Sequence, residues 1–291
     1  MKAIADTLGV ARSNLLVQAR RELGAPLAPG TRSDRSRGCE RRDGRRSADA
    51  ELLAEIRPYI DARTTYGYRR AGGMVNRQRL SDGRPAVNHK RMYRVMKEAR
   101  LLLARHTGKP TRTHDGKIIT LKSNLRWCSD GFEIRCWNGE RVQVAFSLDC
   151  CDREAMAYVA TTGAITGELV RDLMAESIEH RFGAEARRTP HRIEWLSDNA
   201  PCYTALETRE FGEAAGLVIC TTPAYSPESN GMAECFVKGF KRDYVYVNRL
   251  DSAASVMQQL AAWFEDYNEV RPHQALKWKS PREYRNQTST G

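Results

Sequence analysis

Apolar positions along this chain change period near its middle, and the change divides it into two parts. In the front part the spacing is helical. Ala3-Ile4-Ala5-Asp6-Thr7-Leu8 precedes Gly9, and Val10-Ala11-Arg12-Ser13-Asn14-Leu15 follows, a helix–turn–helix pattern cut short at Met1. Residues 1–23 thus read as a partial helix-turn-helix, with an ordinary amphipathic hairpin as the plain alternative. Residues 24–47 break the pattern with Gly24, Pro26, Pro29 and Gly30 and then run rich in arginine, which predicts a basic linker too polar to pack. Residues 48–107 resume it. Leu52, Leu53, Ile56 and Ile60 form one stripe, and Tyr66-Gly67-Tyr68-Arg69-Arg70 opens a second helix. Asn88 can cap a third, in which Met92, Val95, Met96 and Ala99 fall at i, i+3, i+4 and i+7. The far side of that third helix carries His89, Lys90, Arg94 and Lys97, where a recognition helix would present itself to DNA, unless it is a solvated face. Residues 108–124, with Gly108, Pro110 and Gly116, form a second linker.

From residue 125 the pattern alternates. Residues 125–136 and 141–150 read as strands joined through Asn138-Gly139, a hairpin turn signal, and 155–162 as a third strand. A helix over 165–182, a strand over 192–197, a helix over 204–215 and a strand over 216–222 follow, then helices near 229–247 and 252–268. Three strands in series and then helix–strand–helix–strand–helix make a mixed five-stranded sheet flanked by helices, an α/β core over 125–285 with a helical C-terminal end. Small all-α units precede it.

Charge sharpens the division. Of the 291 residues, 1–120 carry 27 Lys/Arg against 12 Asp/Glu, whereas 121–291 carry 20 against 24. A basic front on a mildly acidic back suggests that the front holds a polyanion and the back does chemistry. The eight cysteines form no Cys-x-x-Cys pair and the six histidines show no zinc spacing. Free thiols in a reducing cytoplasm are expected, with no membrane segment and no signal peptide.

The candidate chemistry lies in carboxylates. Asp130 closes Trp127-Cys128-Ser129-Asp130, Asp198 ends the apolar run 193–197, and Glu234 follows Ser226-Pro227-Glu228-Ser229-Asn230-Gly231-Met232-Ala233, with 35 residues between Asp198 and Glu234. Carboxylates at neighbouring strand ends, joined by one from a helix, can hold two divalent ions against a phosphodiester. In the helix after residue 229, Met232, Phe236, Phe240 and Tyr244 repeat at i+4 as the buried stripe, leaving Glu234, Lys238 and Lys241 on the other side. A solvated Glu–Lys pair at i,i+4 is the alternative. Asp149, beside Asp152 at the end of the second strand, competes with Asp130 for the first place. Glu133 and Glu194 look outward-facing, and Glu228 reads as a loop acid. Asn199 and Asn230 are candidates to orient carboxylates or phosphate, or to cap and turn.

Several segments together carry a resemblance: Tyr66 through Arg70, Asn88-His89-Lys90-Arg91-Met92-Tyr93-Arg94, Trp127 through Asp130, Trp195-Leu196-Ser197-Asp198-Asn199, Ser226 through Glu234, Tyr267-Asn268-Glu269 with Arg271-Pro272-His273, and Ser280-Pro281-Arg282-Glu283-Tyr284. Over residues 48–285 the chain resembles the retroviral-integrase-like DDE core of bacterial insertion-sequence transposases, and more closely the second-reading-frame (OrfB-type) protein of a family that makes its transposase by frameshift fusion. The resemblance implies a ribonuclease-H-like fold, with Asp130, Asp198 and Glu234 as catalytic and metal-binding triad. It implies two Mg2+ ions, with Mn2+ as a substitute, and a basic residue seven after the glutamate, here Lys241. The implied reaction is cleavage at element ends followed by strand transfer through a circular intermediate.

Implied partners are double-stranded DNA (terminal inverted repeats and target), a first-frame partner or fusion, and further copies of the chain on the nucleoid. Expected DNA contacts are Tyr68, Arg69, Arg70, His89, Lys90, Arg94, Lys97, Lys238 and Lys241. The usual Asp-Asn-Gly is Asp198-Asn199-Ala200 here, and Gly permits turns that Ala resists. The chain lacks the sustained heptads of a leucine zipper. An inactive DNA-binding copy acting as a regulator, or a ribonuclease-H-like nuclease without strand transfer, stays open beside the transposase.

Overall fold

The computed structural model describes residues 35–103, 120, 122–221 and 231–288, with side chains from residue 48 onward. The expected helix-turn-helix of 1–23 and the loop carrying Glu228 and Asn230 lie outside the described residues. Contacts divide the chain into two units, residues 1–52 and 53–291. Of the first, the described part is helix α1 (Arg35–Ala62) up to Leu52, as backbone to residue 47 and with side chains from 48, and the same helix continues into the second. A helix therefore begins inside the stretch expected to be linker. Arginine and glutamate are good helix formers, and polarity bars a segment from packing without barring it from the helix.

In the second unit, helix α2 (Tyr68–Ser81) leads to α3 (His89–Glu98). The Asn88 side chain caps α3, accepting from Lys90 N–H at 2.9 Å, and Met92, Val95 and Met96 are buried. The back half builds strands β1 (Arg126–Arg135), β2 (Arg141–Asp149) and β3 (Ala155–Thr161), helix α4 (Gly167–Phe182), strand β4 (Ile193–Ser197), short helices α5 (Pro201–Thr204) and α6 (Leu206–Ala214), strand β5 (Leu217–Thr221) and helix α7 (Gly231–Phe240). Helix α7 continues into a π-helical turn, Lys241–Val245; α8 (Ala253–Glu269) and α9 (Pro281–Thr288) close the chain. The expected helix over 204–215 starts instead as two pieces, because Ala205 (φ −54, ψ 137) steps out of the helical region between α5 and α6.

The sheet order is β3-β2-β1-β4-β5. Strands β1, β2 and β3 pair antiparallel, and β4 and β5 run parallel to β1. This is the mixed five-stranded sheet of the expected ribonuclease-H-like fold. Alternation assigns the faces. Cys128, Phe132 and Ile134 of β1 join Val144 and Phe146 of β2 under Phe236 and Phe240 of α7 and Leu260 and Phe264 of α8. Trp127, Ala145, Ile193 and Trp195 face the other way, onto Val170, Leu173 and Ile178 of α4.

Two charged networks fasten the periphery. At the β2–β3 turn, Asp149, Asp152 and Glu154 are fully buried. Arg181 of α4 binds Asp152 through both terminal nitrogens at 2.9 and 2.8 Å. Glu154 takes His180 at 3.0 Å and Arg285 of α9 at 2.6 Å. At the second network, Asp243 in the π-helical turn meets Arg70 of α2 at 2.7 Å, Arg242 at 2.8 Å and Arg271 at 2.9 Å. Close approach at the same seam needs a glycine, since a Cβ on Gly73 would stand 3.0 Å from the Trp278 side chain.

The first network gives stability a pH dependence. Burial raises the Glu154 carboxyl, but His180, Arg181 and Arg285 outweigh it and bring it down to about 2. A folded value below that of a free glutamate stabilises the fold above about pH 4–5, and the contribution disappears as pH falls through about 2. Glu154→Gln is expected to flatten this acid limb and to lower stability at neutral pH by about 2 kcal/mol. Urea unfolding between pH 2 and 7 reads both; an unchanged acid limb would refute the assignment.

Candidate active site

The two aspartates are set by backbone pairing. Strands β1 and β4 lie parallel with Trp127 opposite Trp195 and Cys128 opposite Leu196. Two residues further the same offset brings Asp130 level with Asp198, immediately past the end of β4. Neighbouring strands are about 4.8 Å apart and in-register side chains share a face. That face is the one α7 covers, packing through Phe236 and Phe240, so Glu234 approaches it from above. Glu234 is partly exposed, on the side of α7 away from those rings.

Electrostatics register the convergence. The Asp130 carboxyl is pushed up by burial first, then by the negative charges of Asp198 and Glu234, against a lowering by the Gly131 N–H. Asp198 and Glu234 therefore both lie close enough to act on Asp130 in its half-buried place. Each also has a local partner. Asp130 Oδ1 accepts from Gly131 N–H at 2.8 Å, Asp198 Oδ1 from Ala200 N–H at 3.1 Å, and Glu234 Oε2 from Lys238 Nζ at 3.0 Å. Among the described residues no three acidic, histidine or cysteine side chains form a closed metal-holding group. The donor set is all oxygen, which fits a hard divalent cation rather than zinc or copper.

Ala200 raises no difficulty. It sits at φ −62, ψ 145, which any residue adopts, and Pro201 opens α5 directly after it. The turn holding Asp198 does not need glycine.

Asp149 is not part of this group. Its carboxylate faces the opposite side of the sheet, accepting from Asn124 N–H at 2.7 Å, Cys151 N–H at 2.7 Å and the Trp127 indole at 3.2 Å. Burial, and then Asp152, push it up to about 6. It builds the β2–β3 turn. Glu194 is engaged by Arg126, and Glu133 by Arg135, at the sheet surface.

The expected DNA contacts separate into two kinds. His89, Lys90 and Lys97 are exposed on α3 and Arg69 on α2, while Tyr68 stacks edge-on against Tyr93 at 5.1 Å and accepts a hydrogen bond from Arg69 Nε at 3.0 Å. Lys238 is exposed beside Glu234, and Lys241 lies over the Phe132 ring at 5.6 Å, two residues beyond Asp130. Arg70 is different: its guanidinium is committed to the buried Asp243 and holds α2 to the core instead of facing outward. Arg94 is half-buried, 4.0 Å from Glu98.

Two residues that the sequence did not single out support the aspartates from beneath. The Ser129 and Tyr203 hydroxyls are 2.7 Å apart and buried, tying α5, just past Asp198, to β1 beside Asp130. The only signal for this was the alternation that sends Ser129 to the face opposite Asp130.

Two family models described as "Integrase core domain" match residues 121–227 and 216–281. Transposase InsD for insertion element IS2A/D/F/H/I/K of Escherichia coli is 48% identical over 247 residues, covering 83% of this chain and 81% of the relative. Transposase InsD for insertion element IS2-9 of Escherichia coli strain K12 is also 48% identical over 247 residues, covering 83% and 80%. Among solved structures, the chain is similar to one in a simian T-cell lymphotropic virus intasome in complex with PP2A regulatory subunit B56 gamma. That similarity has a TM-score of 0.47 and 17% identity, over 65% of this chain and 66% of that one.

Proposed function

The chain belongs to the insertion-element transposases with an integrase core domain, and is a DNA transposase; from that premise we propose that Asp130, Asp198 and Glu234 are its catalytic, metal-binding carboxylates. The observation that carries this reading is that Asp198 and Glu234 both stand near enough to Asp130 to raise its carboxyl. Asp130 and Asp198 would hold one side of a site for two Mg2+ ions, with Mn2+ as a substitute, and Glu234 the other. When bound, such ions lower the pKa of an attacking water or hydroxyl and neutralise charge developing on the phosphate oxygens.

The chain's own groups do the rest. The carboxylates orient the attacking oxygen in line with the scissile bond, and the sheet holds them still while they do so. Lys238 and Lys241 contact phosphates beside Glu234, and Tyr68, Arg69, His89, Lys90 and Lys97 hold the duplex further out. Water attack at an element end frees a 3′ hydroxyl. That hydroxyl then attacks a second phosphodiester, joining the strands and releasing the target's 3′ oxygen. The chain does this as an oligomer on DNA, with its first-frame partner, in the bacterial cytoplasm at the nucleoid. No helix among the described residues is long and apolar enough to cross a membrane.

The test is a joining assay. The purified chain, with and without its first-frame partner, is incubated with Mg2+ and DNA carrying the flanking inverted repeats. Joined strands in the presence of Mg2+ are expected. Cleavage never followed by joining would leave a nuclease, and binding without cleavage a regulatory copy; either outcome sinks the proposal.

A further inference from the structure

Between α7, the helix that carries Glu234, and Tyr267 of α8 lies a cavity of about 330 Å³ with an unusual charge balance. Arg69, Arg70, Arg153, Arg271 and His273 line it, together with Cys235 from α7, the residue after Glu234, and among the described residues no carboxylate lines its wall. One carboxylate stands behind it. Asp243 is shared by Arg70, Arg242 and Arg271, so the region keeps an excess of positive charge. His273 adds none. It accepts from Arg271 Nη1 at 3.0 Å, and burial, then Arg271 and Arg153, push its pKa well down, so the ring is neutral.

Arg153 is the odd member. The buried arginines around it are answered, Arg181 by Asp152 and Arg70 and Arg271 by Asp243, while the exposed Arg69 bonds the Tyr68 hydroxyl. The Arg153 guanidinium is half-buried, near enough to the buried Tyr267 and His273 to act on both. Among the described residues it has neither an ion pair nor a side-chain hydrogen bond. A half-buried charge without a counter-charge is costly.

The backbone there is strained as well, with Arg153 at φ +61. It is held in that conformation by its own N–H on Asp149 O at 2.9 Å and by the Asp149 side chain bracing the turn. Two unfavourable choices at one residue, fixed by a buried turn, are what a prepared ligand site shows.

We propose that this cavity is a phosphate site, with Arg153 as its principal ligand and Arg69 at its rim, and that it seats one backbone phosphate of the DNA strand passing the three acids. The distance suits this. Leu148, which lines the cavity, pairs with Cys128, two residues from Asp130. From strand spacing and rise, that is about 8 Å from Asp130. That places the seated phosphate close along the same strand to the cleaved bond. The placement of the strand rests on the reading of the triad; the anion site itself does not.

Arg153→Gln and Arg153→Lys in the full chain test it, read by duplex-end binding across a salt series and by thermal unfolding without DNA. Arg153→Gln is expected to weaken binding about tenfold at low salt and to make the salt dependence shallower by about one unit. Arg153→Lys keeps the salt slope. Thermal stability of free Arg153→Gln stays level or rises, since an unanswered charge has gone. An unchanged salt slope, or a loss of stability that parallels the loss of binding, overturns the proposal. Inorganic phosphate alone separates the sources: if it stabilises the wild type but not Arg153→Gln, while DNA affinity is the same in both, the site takes free phosphate and the DNA assignment falls. Failure of the triad reading looks different, because Asp198→Asn would then join strands while Arg153→Gln still showed the shallower slope.

Discussion

Asp198→Asn is expected to bind terminal-repeat DNA with near wild-type affinity and to join strands at least about 10³-fold more slowly, the several kcal/mol that metal-assisted phosphoryl chemistry supplies. Asparagine keeps the size of the side chain and its hydrogen bond to Ala200 N–H, so only the charge goes. Asp130→Asn and Glu234→Gln should behave alike. Asp130→Asn carries a second signature. Burial and two neighbouring acids oppose its charged form, so removing the charge should hold or raise the melting temperature of the free chain. Activity lost together with stability gained is difficult to explain by misfolding. Any of the three variants that still joined strands at a comparable rate would remove the triad assignment.

Asp243→Ala is expected to be the most damaging change away from the acids, destabilising the chain by about 3–5 kcal/mol, the usual cost of removing one partner from a buried ion network. Asp243 is nearly fully buried and answers guanidiniums from three places: Arg70 of α2, Arg242 beside it, and Arg271 after α8. Its loss leaves three charges unpaired at the end of the helix that carries Glu234. Strand joining should therefore decline faster than stability does, since a small shift of α7 moves Glu234 while the fold survives. Chemical unfolding together with a joining assay at saturating DNA distinguishes this. A joining rate that fell only in proportion to the folded fraction would show that the network merely holds the chain together.

Much of the architecture could be read from local pattern. Strand alternation, Asn138-Gly139 and the i+4 stripe of Phe236, Phe240 and Tyr244 are short-range signals, and the five strands and helices α4, α7 with its π-helical turn, and α8 lie within a residue or two of where these put them. Asp130 and Asp198 were legible because their apolar runs announce neighbouring strands. What escaped was long-range pairing. Arg70 and Asp243 are 173 residues apart, and nothing local distinguishes an arginine that clamps an aspartate from one that faces DNA. Asp149 was ambiguous for a related reason, since only its face of the sheet shows that Trp127, Asn124 and Cys151 occupy it. Ala200 looked like a departure because a glycine in a motif suggests a special turn; its backbone angles are ordinary.

The level pairing of β1 with β4 makes the candidate site resemble a calliper. One jaw, the aspartate pair, sits just beyond the hydrogen-bonded pairing of β1 with β4 and is placed by it. The other jaw is less tightly held, because Glu234 comes from a helix seated on the apolar floor through Phe236 and Phe240 instead of from a strand of the sheet. Changes in gap width, whether brought by a bound duplex, a second subunit or an engineered floor residue, would fall almost entirely on the glutamate side.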